Sequence, residues 1–203
     1  MKIASNEKKL LNDIKKFAIK GEENRIIKHI FNVAAILNIP TPDIYVIPYI
    51  LSFSRTLILT ENISPLIQSD LIKTADIPLL LGTYFYESNT IALSAYSIFQ
   101  KNKFSDALLL YTALQNLRMA WHLFNNPADV KLNHTSMNDI TYEREIDTDA
   151  FARLYTDFVY IDKPDDYYLL SSITFATDNG QRNKRLEELK EEYGSMIEQL
   201  INL

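Results

Sequence analysis

The stretch SDALLLYTALQNLRMAWHLF, residues 105–124, decides how the chain is read. Leu110, Ala113, Leu114, Leu117, Trp121 and Phe124 recur at helical spacing and make one apolar stripe. Leu108, Tyr111, Ala120 and Leu123 widen it, so the spacing predicts a helix covered on more than one side. Ser105 suits an N-cap, where a hydroxyl accepts from an orphan backbone N–H, and Asp106 suits the positive end of the helix dipole. Gln115 and Met119 stand one turn apart on a flank of the stripe.

Just before this stretch, GTYFYESNTIALSA (82–95) alternates, turns at Glu87-Ser88-Asn89 and alternates again, as a β-hairpin does. The period therefore changes from two to helical between Ser94 and Ser105. The expected fold is α+β, a small sheet with this hairpin packed against the 105–124 and 140–160 helices. After Phe124 the polar run NNPADVKLNHTSMND (125–139) reads as a loop, and His134 in it as a solvated loop histidine. Residues 138–160 read as a second long helix, acid-rich between Glu143 and Asp149. Asp147, Phe151, Leu154 and Phe158 share one face, so Asp147 lies in line with the core stripe. Such a carboxylate needs a partner, because burying it unpaired is costly. Glu145 and Asp149 run with Ala152 and Thr156 and are expected to be better solvated.

Towards the N-terminus, apolar periodicity predicts helices over 5–19 and 22–37, with His29 as a helix-surface histidine. Pro40 and Pro42 end this region. DIYVIPYI (43–50) is β-rich, and Pro48 confines it to an edge or a strand end. TLILT (56–60) reads as a strand and 64–73 as a short helix. Towards the C-terminus, a Tyr-rich connection precedes a helix over 183–201 with Leu186, Leu189, Tyr193, Met196, Ile197 and Leu200 on one side. No long Gly/Ser/Pro linker interrupts the 203 residues, so one domain is expected: N-terminal helices within 1–40, a core over 82–160 and a C-terminal helix within 181–203.

Composition narrows the chemistry. With 4 Gly there is no G-x-G-x-x-G and no G-x-x-x-x-G-K loop to cradle phosphate. The absence of Cys removes disulfides, thiolate zinc ligands and thiol nucleophiles, and no serine lies in G-x-S-x-G. No apolar run reaches the ~20 residues of a membrane span, and MKIASNEKKLLNDIKK lacks an apolar signal core, so a cytoplasmic protein without a membrane partner is expected. A formal charge of −5 does not favour nucleic acid.

A hairpin, a metal-binding helix, a loop and a helix with an E-x-[DE]-A-[DN]-x-F-A-like run together resemble the ImmA/IrrE group of small zincin-type metallopeptidases. The second motif stands here as Glu145-Ile146-Asp147-Thr148-Asp149-Ala150-Phe151-Ala152, and is the more specific half. The first, H-E-L-R-H-A-W-Q in the variants it is most similar to, stands as Gln115-Asn116-Leu117-Arg118-Met119-Ala120-Trp121-His122. The Leu-Arg and Ala-Trp framing is kept, while both histidines and the glutamate are replaced. In a second register His122 takes the place of the second histidine, Arg118 that of the first and Met119 that of the general base; it breaks the Leu-Arg and Ala-Trp match, so the first register is the preferred one. The resemblance covers roughly residues 80–155.

The resemblance implies a zincin-like fold whose former metal-site positions are Gln115, Asn116, Met119, Asp147 and Glu145, with Arg118, His122 and Asp149 lining the site. A zinc hydrolase needs two neutral imidazoles, a carboxylate ligand and a general base. Gln115 and Met119 are poor zinc ligands, and the Asn116 amide takes no proton near neutral pH. The expectation is therefore a pseudo-metallopeptidase with no catalytic residue, metal or cofactor, acting by binding another protein. Phage or mobile-element regulation and anti-defence are the settings the resemblance suggests. A rival expectation is an active zinc-dependent hydrolase with a relocated site built from Asp147, Glu145 and His122 or His134. A third is an assembly protein that uses the Tyr-rich segment 155–168 as its interface, and a homo-oligomer is compatible with either binding role. If Asp147 faces the 115–119 turn, Gln115 or Arg118 should reach it, and the Arg118 guanidinium would neutralise the acids in place of a dication.

Overall fold

The computed structural model of the chain describes residues 5–53, 56–61, 80–95, 105–127, 139–160 and 179–202. Helices α1 (Ser5–Phe17) and α2 (Ile27–Ile36) precede strands β1 (Asp43–Ile47), β2 (Tyr49–Phe53), β3 (Thr56–Thr60), β4 (Gly82–Phe85) and β5 (Thr90–Ser94). Helices α3 (Ser105–Asn125), α4 (Asp139–Val159) and α5 (Asn179–Ile201) follow. The class is α+β, as the change of period predicts. Two boundaries differ from the sequence reading. Glu22–Arg25 form a 3-10 turn, and α2 begins only after Ile26, whose backbone leaves helical geometry (φ −125) and whose side chain is buried. The last helix starts at Asn179, earlier than the expected 183. The expected helix at 64–73, His134 and the Tyr-rich stretch beyond Tyr160 lie outside the described residues. Tyr155 and Tyr160 themselves are buried and offer no surface for assembly.

The three-stranded sheet has the order β1-β5-β4. β4 and β5 form the expected antiparallel hairpin, and β1 runs parallel to β5 from Asp43 beside Thr90 to Ile47 beside Ser94. Pro48 follows β1, which lies at the sheet edge, and β2 and β3 pair antiparallel as a separate two-stranded sheet. Asn89, left-handed at φ 47, joins the hairpin turn to the entry of β1. Its side chain donates to the carbonyls of Pro40 (3.3 Å) and Thr41 (3.2 Å) and accepts from the Tyr84 hydroxyl (3.0 Å). Asn38 plays the matching role at the end of α2: at φ 52 it lets Ile39 N–H reach Ala34 O and its own N–H reach Ala35 O, each at 3.1 Å.

Strand alternation sorts the side chains into two cores. Ile44, Val46, Ile91 and Leu93 point into the larger one, with α2, α3, α4 and α5. Ile47, Ala92 and Phe85 point the other way, onto Ile14 of α1, Ile50 of β2 and Leu59 of β3. α3 packs on β4 and β5, while α4 packs chiefly on α3 and α5. The helices thus stack outward from the sheet, and α4 has a neighbour on either side.

β4 comes close to α3 at Gly82. A Cβ there would sit 2.9 Å from Leu93 Cδ2, 3.0 Å from Thr112 Cγ2 and 3.0 Å from Asn116 Nδ2. Gly82→Ala should therefore destabilise the fold by roughly 1–3 kcal/mol, the range for overpacking a close-fitted core. Urea denaturation checks this, and an unchanged midpoint would refute the close packing of β4 on α3.

Candidate functional site

Helix α4 presents Asp147 to α3 and α5, and three side chains converge on it. Arg118 of α3 donates from Nε to Oδ2 at 2.7 Å and from Nη2 to Oδ1 at 3.3 Å, a two-pronged grip. His122, one turn on, brings Nε2 to 2.7 Å from the same Oδ2. Arg185 of α5 donates from Nε to Oδ1 at 2.7 Å and from Nη1 to Glu188 at 2.9 Å. Burial alone would raise the Asp147 carboxyl, but the hydrogen bonds from His122 and Arg118 and the Arg118 charge outweigh it, holding it well below the usual carboxylate range.

Arg118 is 0% exposed and among the largest fully buried side chains of the protein. Its guanidinium carbon lies 3.8 Å from the Trp121 ring centre, 4.9 Å from that of Phe151 and 5.5 Å from that of Tyr193. Nη1 is 3.5 Å from the Tyr193 hydroxyl. The cation is thus enclosed by aromatic faces and answered by one carboxylate, the combination that makes a dry guanidinium tolerable.

A second knot forms at Asp149, which is 1% exposed. The Tyr111 hydroxyl and Gln115 Nε2 (3.2 Å) both donate to its Oδ1. Arg182 of α5 brings Nη1 to 3.6 Å from Oδ2, which makes no hydrogen bond among the described residues. Burial and the Asp149 charge push the Tyr111 phenol far up, so it stays a donor. The expected solvation of Asp149 is thereby corrected: Tyr111 and Gln115 of α3 and Arg182 of α5 close over it, and Ala152 and Thr156, in phase with it, are buried as well. Glu145 is exposed, as read from its phase.

The expected approach of α3 to Asp147 is met by Arg118, while Gln115 goes to Asp149. The pair one turn apart that reaches Asp147 is Arg118 and His122, the second register of the sequence comparison. Asn116 donates to Thr112 O (2.9 Å) and faces Gly82, and Met119 is half-buried. His29 is not a plain surface residue. Its Nδ1 lies 3.1 Å from the Tyr155 hydroxyl, the rings meet edge-on, and burial followed by Lys28 pushes its pKa down. Burial also raises the Tyr155 phenol to about 12.

The α5 contribution escapes the sequence reading, which ends the resemblance before that helix. A signal was present: Arg185, Leu189, Tyr193 and Ile197 are spaced four apart, so Arg185 is in phase with the buried stripe.

The donor set does not suit zinc. A carboxylate has about four lone-pair positions; those of Asp147 are met by Arg118 Nε and Nη2, His122 Nε2 and Arg185 Nε. A dication would have to displace two guanidinium groups. Among the described residues, no group of three or more His, Asp or Glu could hold a metal ion. Of the relocated set, His122 and Asp147 meet and Glu145 faces solvent. Comparison with protein-family models, with curated proteins and with solved structures returns no match to this chain.

Removing one partner of the buried pair should strand the other charge. Asp147→Leu alone should cost ~3–5 kcal/mol of folding stability, and Arg118→Met with Asp147→Leu should recover most of it. A double-mutant cycle by chemical denaturation tests this, and additive losses would show that the pair is not coupled. Acid should act through the same carboxyl. Its folded pKa lies below the unfolded value of about 3.9, so its contribution is complete above that pH and fades as pH falls below it. Stability measured from pH 6 down to about 2 should therefore fall in the wild type, with a shallower fall in Asp147→Asn.

Proposed function

We propose that this protein is a catalytically silent relative of the ImmA/IrrE-type zincins and works by binding another protein. The observation that carries the reading is the Arg118 guanidinium bonded through two nitrogens to Asp147 at the acid of the second motif. A fixed positive charge stands where the resemblance would put a dication, and His122 on the same carboxylate marks the turn of α3 concerned. Neither buried acid of the site is set up as a general base: Asp147 and Asp149 are both paired with cations, and Asn116 supplies only an amide. A scaffold kept without its chemistry is used for its surface. Phage or mobile-element regulation and anti-defence belong to this reading by analogy with the family alone.

Metal analysis tests it. The purified, dialysed protein should hold no stoichiometric zinc and should cleave no peptide with zinc added back; retained zinc or cleavage would overturn the reading. The ancestry has its own test in the register that the geometry favours. Arg118→His with Arg185→Gln would leave two imidazoles one turn apart beside a carboxylate that no arginine holds, the open arrangement of a catalytic zinc site. That variant should bind zinc and gain thermal stability from it by mass action. Gln115→His with Met119→His should not, because Gln115 faces Asp149. The reverse result would restore the first register.

A further inference from the structure

Where α3, α4 and α5 meet, a groove of about 660 Å³ opens over Asp147. Its size is that of a ligand site. The reading of the site as one that binds and does not hydrolyse leaves open what enters this groove, and its walls carry information on that point. The deepest acid, Asp147, has every lone-pair position taken, so it has nothing left for a cationic ligand. The donors are not exhausted. Arg185 uses Nε on Asp147 and Nη1 on Glu188, and among the described residues its Nη2 makes no hydrogen bond. Lys184, exposed on the same wall, makes no ion pair among the described residues. Charge points the same way. Arg118, Arg144, Lys184 and Arg185 lie in or beneath the groove against Glu143, Asp147 and Glu188, on a chain whose formal charge is −5. Glu143 and Glu188 are exposed at the rim, where water screens them.

We propose that the groove receives a carboxylate side chain from an acidic peptide segment of a protein partner, held by Arg185 and Lys184. A guanidinium edge and an ammonium that line one groove suit a carboxylate, the first by its fork and the second as a point charge. The volume exceeds what one carboxylate fills, and Ile146 in the lining offers apolar contact to the rest of a peptide. The proposal rests on the binding reading given above.

The test uses the full chain and a labelled, capped hexaglutamate peptide, followed by fluorescence anisotropy. The protein's net charge repels this probe, so binding reports a local site. The glutamate peptide should bind, the glutamine and lysine counterparts should not, and added salt should weaken the complex. Lys184→Glu should lower affinity by about tenfold or more, while Lys190→Glu, on the same helix and outside the groove, should leave it within about twofold. Both side chains are exposed, so both variants should keep the wild-type melting temperature. No binding of the glutamate peptide, or equal losses in the two lysine variants, would overturn the site. Succinate competing as well as the peptide at equal carboxylate concentration would overturn the peptide as ligand. Failure here, in protein that is metal-free and inactive, leaves the binding reading standing. Cleavage of the peptide would sink that reading instead.

Discussion

Everything at the centre of this protein depends on one fully buried guanidinium and the carboxylate that answers it. Arg118 is among the largest side chains with no exposure, and water cannot relieve its charge. Placing such an ion in a core costs several kcal/mol before any partner is counted. Asp147 offsets that cost through two bonds, and Trp121, Phe151 and Tyr193 give the cation faces to lie against. Because the pair joins α3 to α4 and Tyr193 belongs to α5, the three helices cannot slide past one another without exposing an ion to hydrocarbon.

The same logic repeats two residues further along α4. Asp149 is held by Tyr111 and Gln115 from α3 and by Arg182 from α5, as Asp147 is held by Arg118 and His122 from α3 and Arg185 from α5. Two acids on the middle helix thus each take partners from both flanking helices. Polar pairs of this kind are weak evidence for added stability, since an apolar core of the same shape could be as stable. The register of α3 against α4 decides which α3 side chains stand at the acid, and so what the site can do.

Much of this was legible in the chain, for identifiable reasons. The 82–94 hairpin and the 105–125 helix show because their periods are clean and a turn or a cap separates them. Arg118 on Asp147 follows from the phase of Asp147 and the fit of a guanidinium to a carboxylate. Parallel pairing of β1 with β5 does not show, since it joins segments far apart in sequence and leaves no local mark. The burial of Asp149 does not show in the phase of a single apolar stripe, because helices lie on both sides of α4. Arg185 does not stand out, because charged residues at the start of a helix are usually solvated. Its spacing of four from Leu189 and Tyr193 was the sign that it points inward.

Asn89 has a further effect, on how the chain tolerates change in length. Its bonds to Thr41 and Pro40 span 48 and 49 residues, so one asparagine closes the loop that holds β2, β3 and the approach to β4. The entropic cost of closing a flexible loop rises only by about 0.6 kcal/mol for each doubling of its length. With β1 pinned at the hairpin turn, residues inserted between β3 and β4 need not shift β5 or the helix that follows it. A change in the number of residues between β3 and β4 should therefore leave the three-helix site in place.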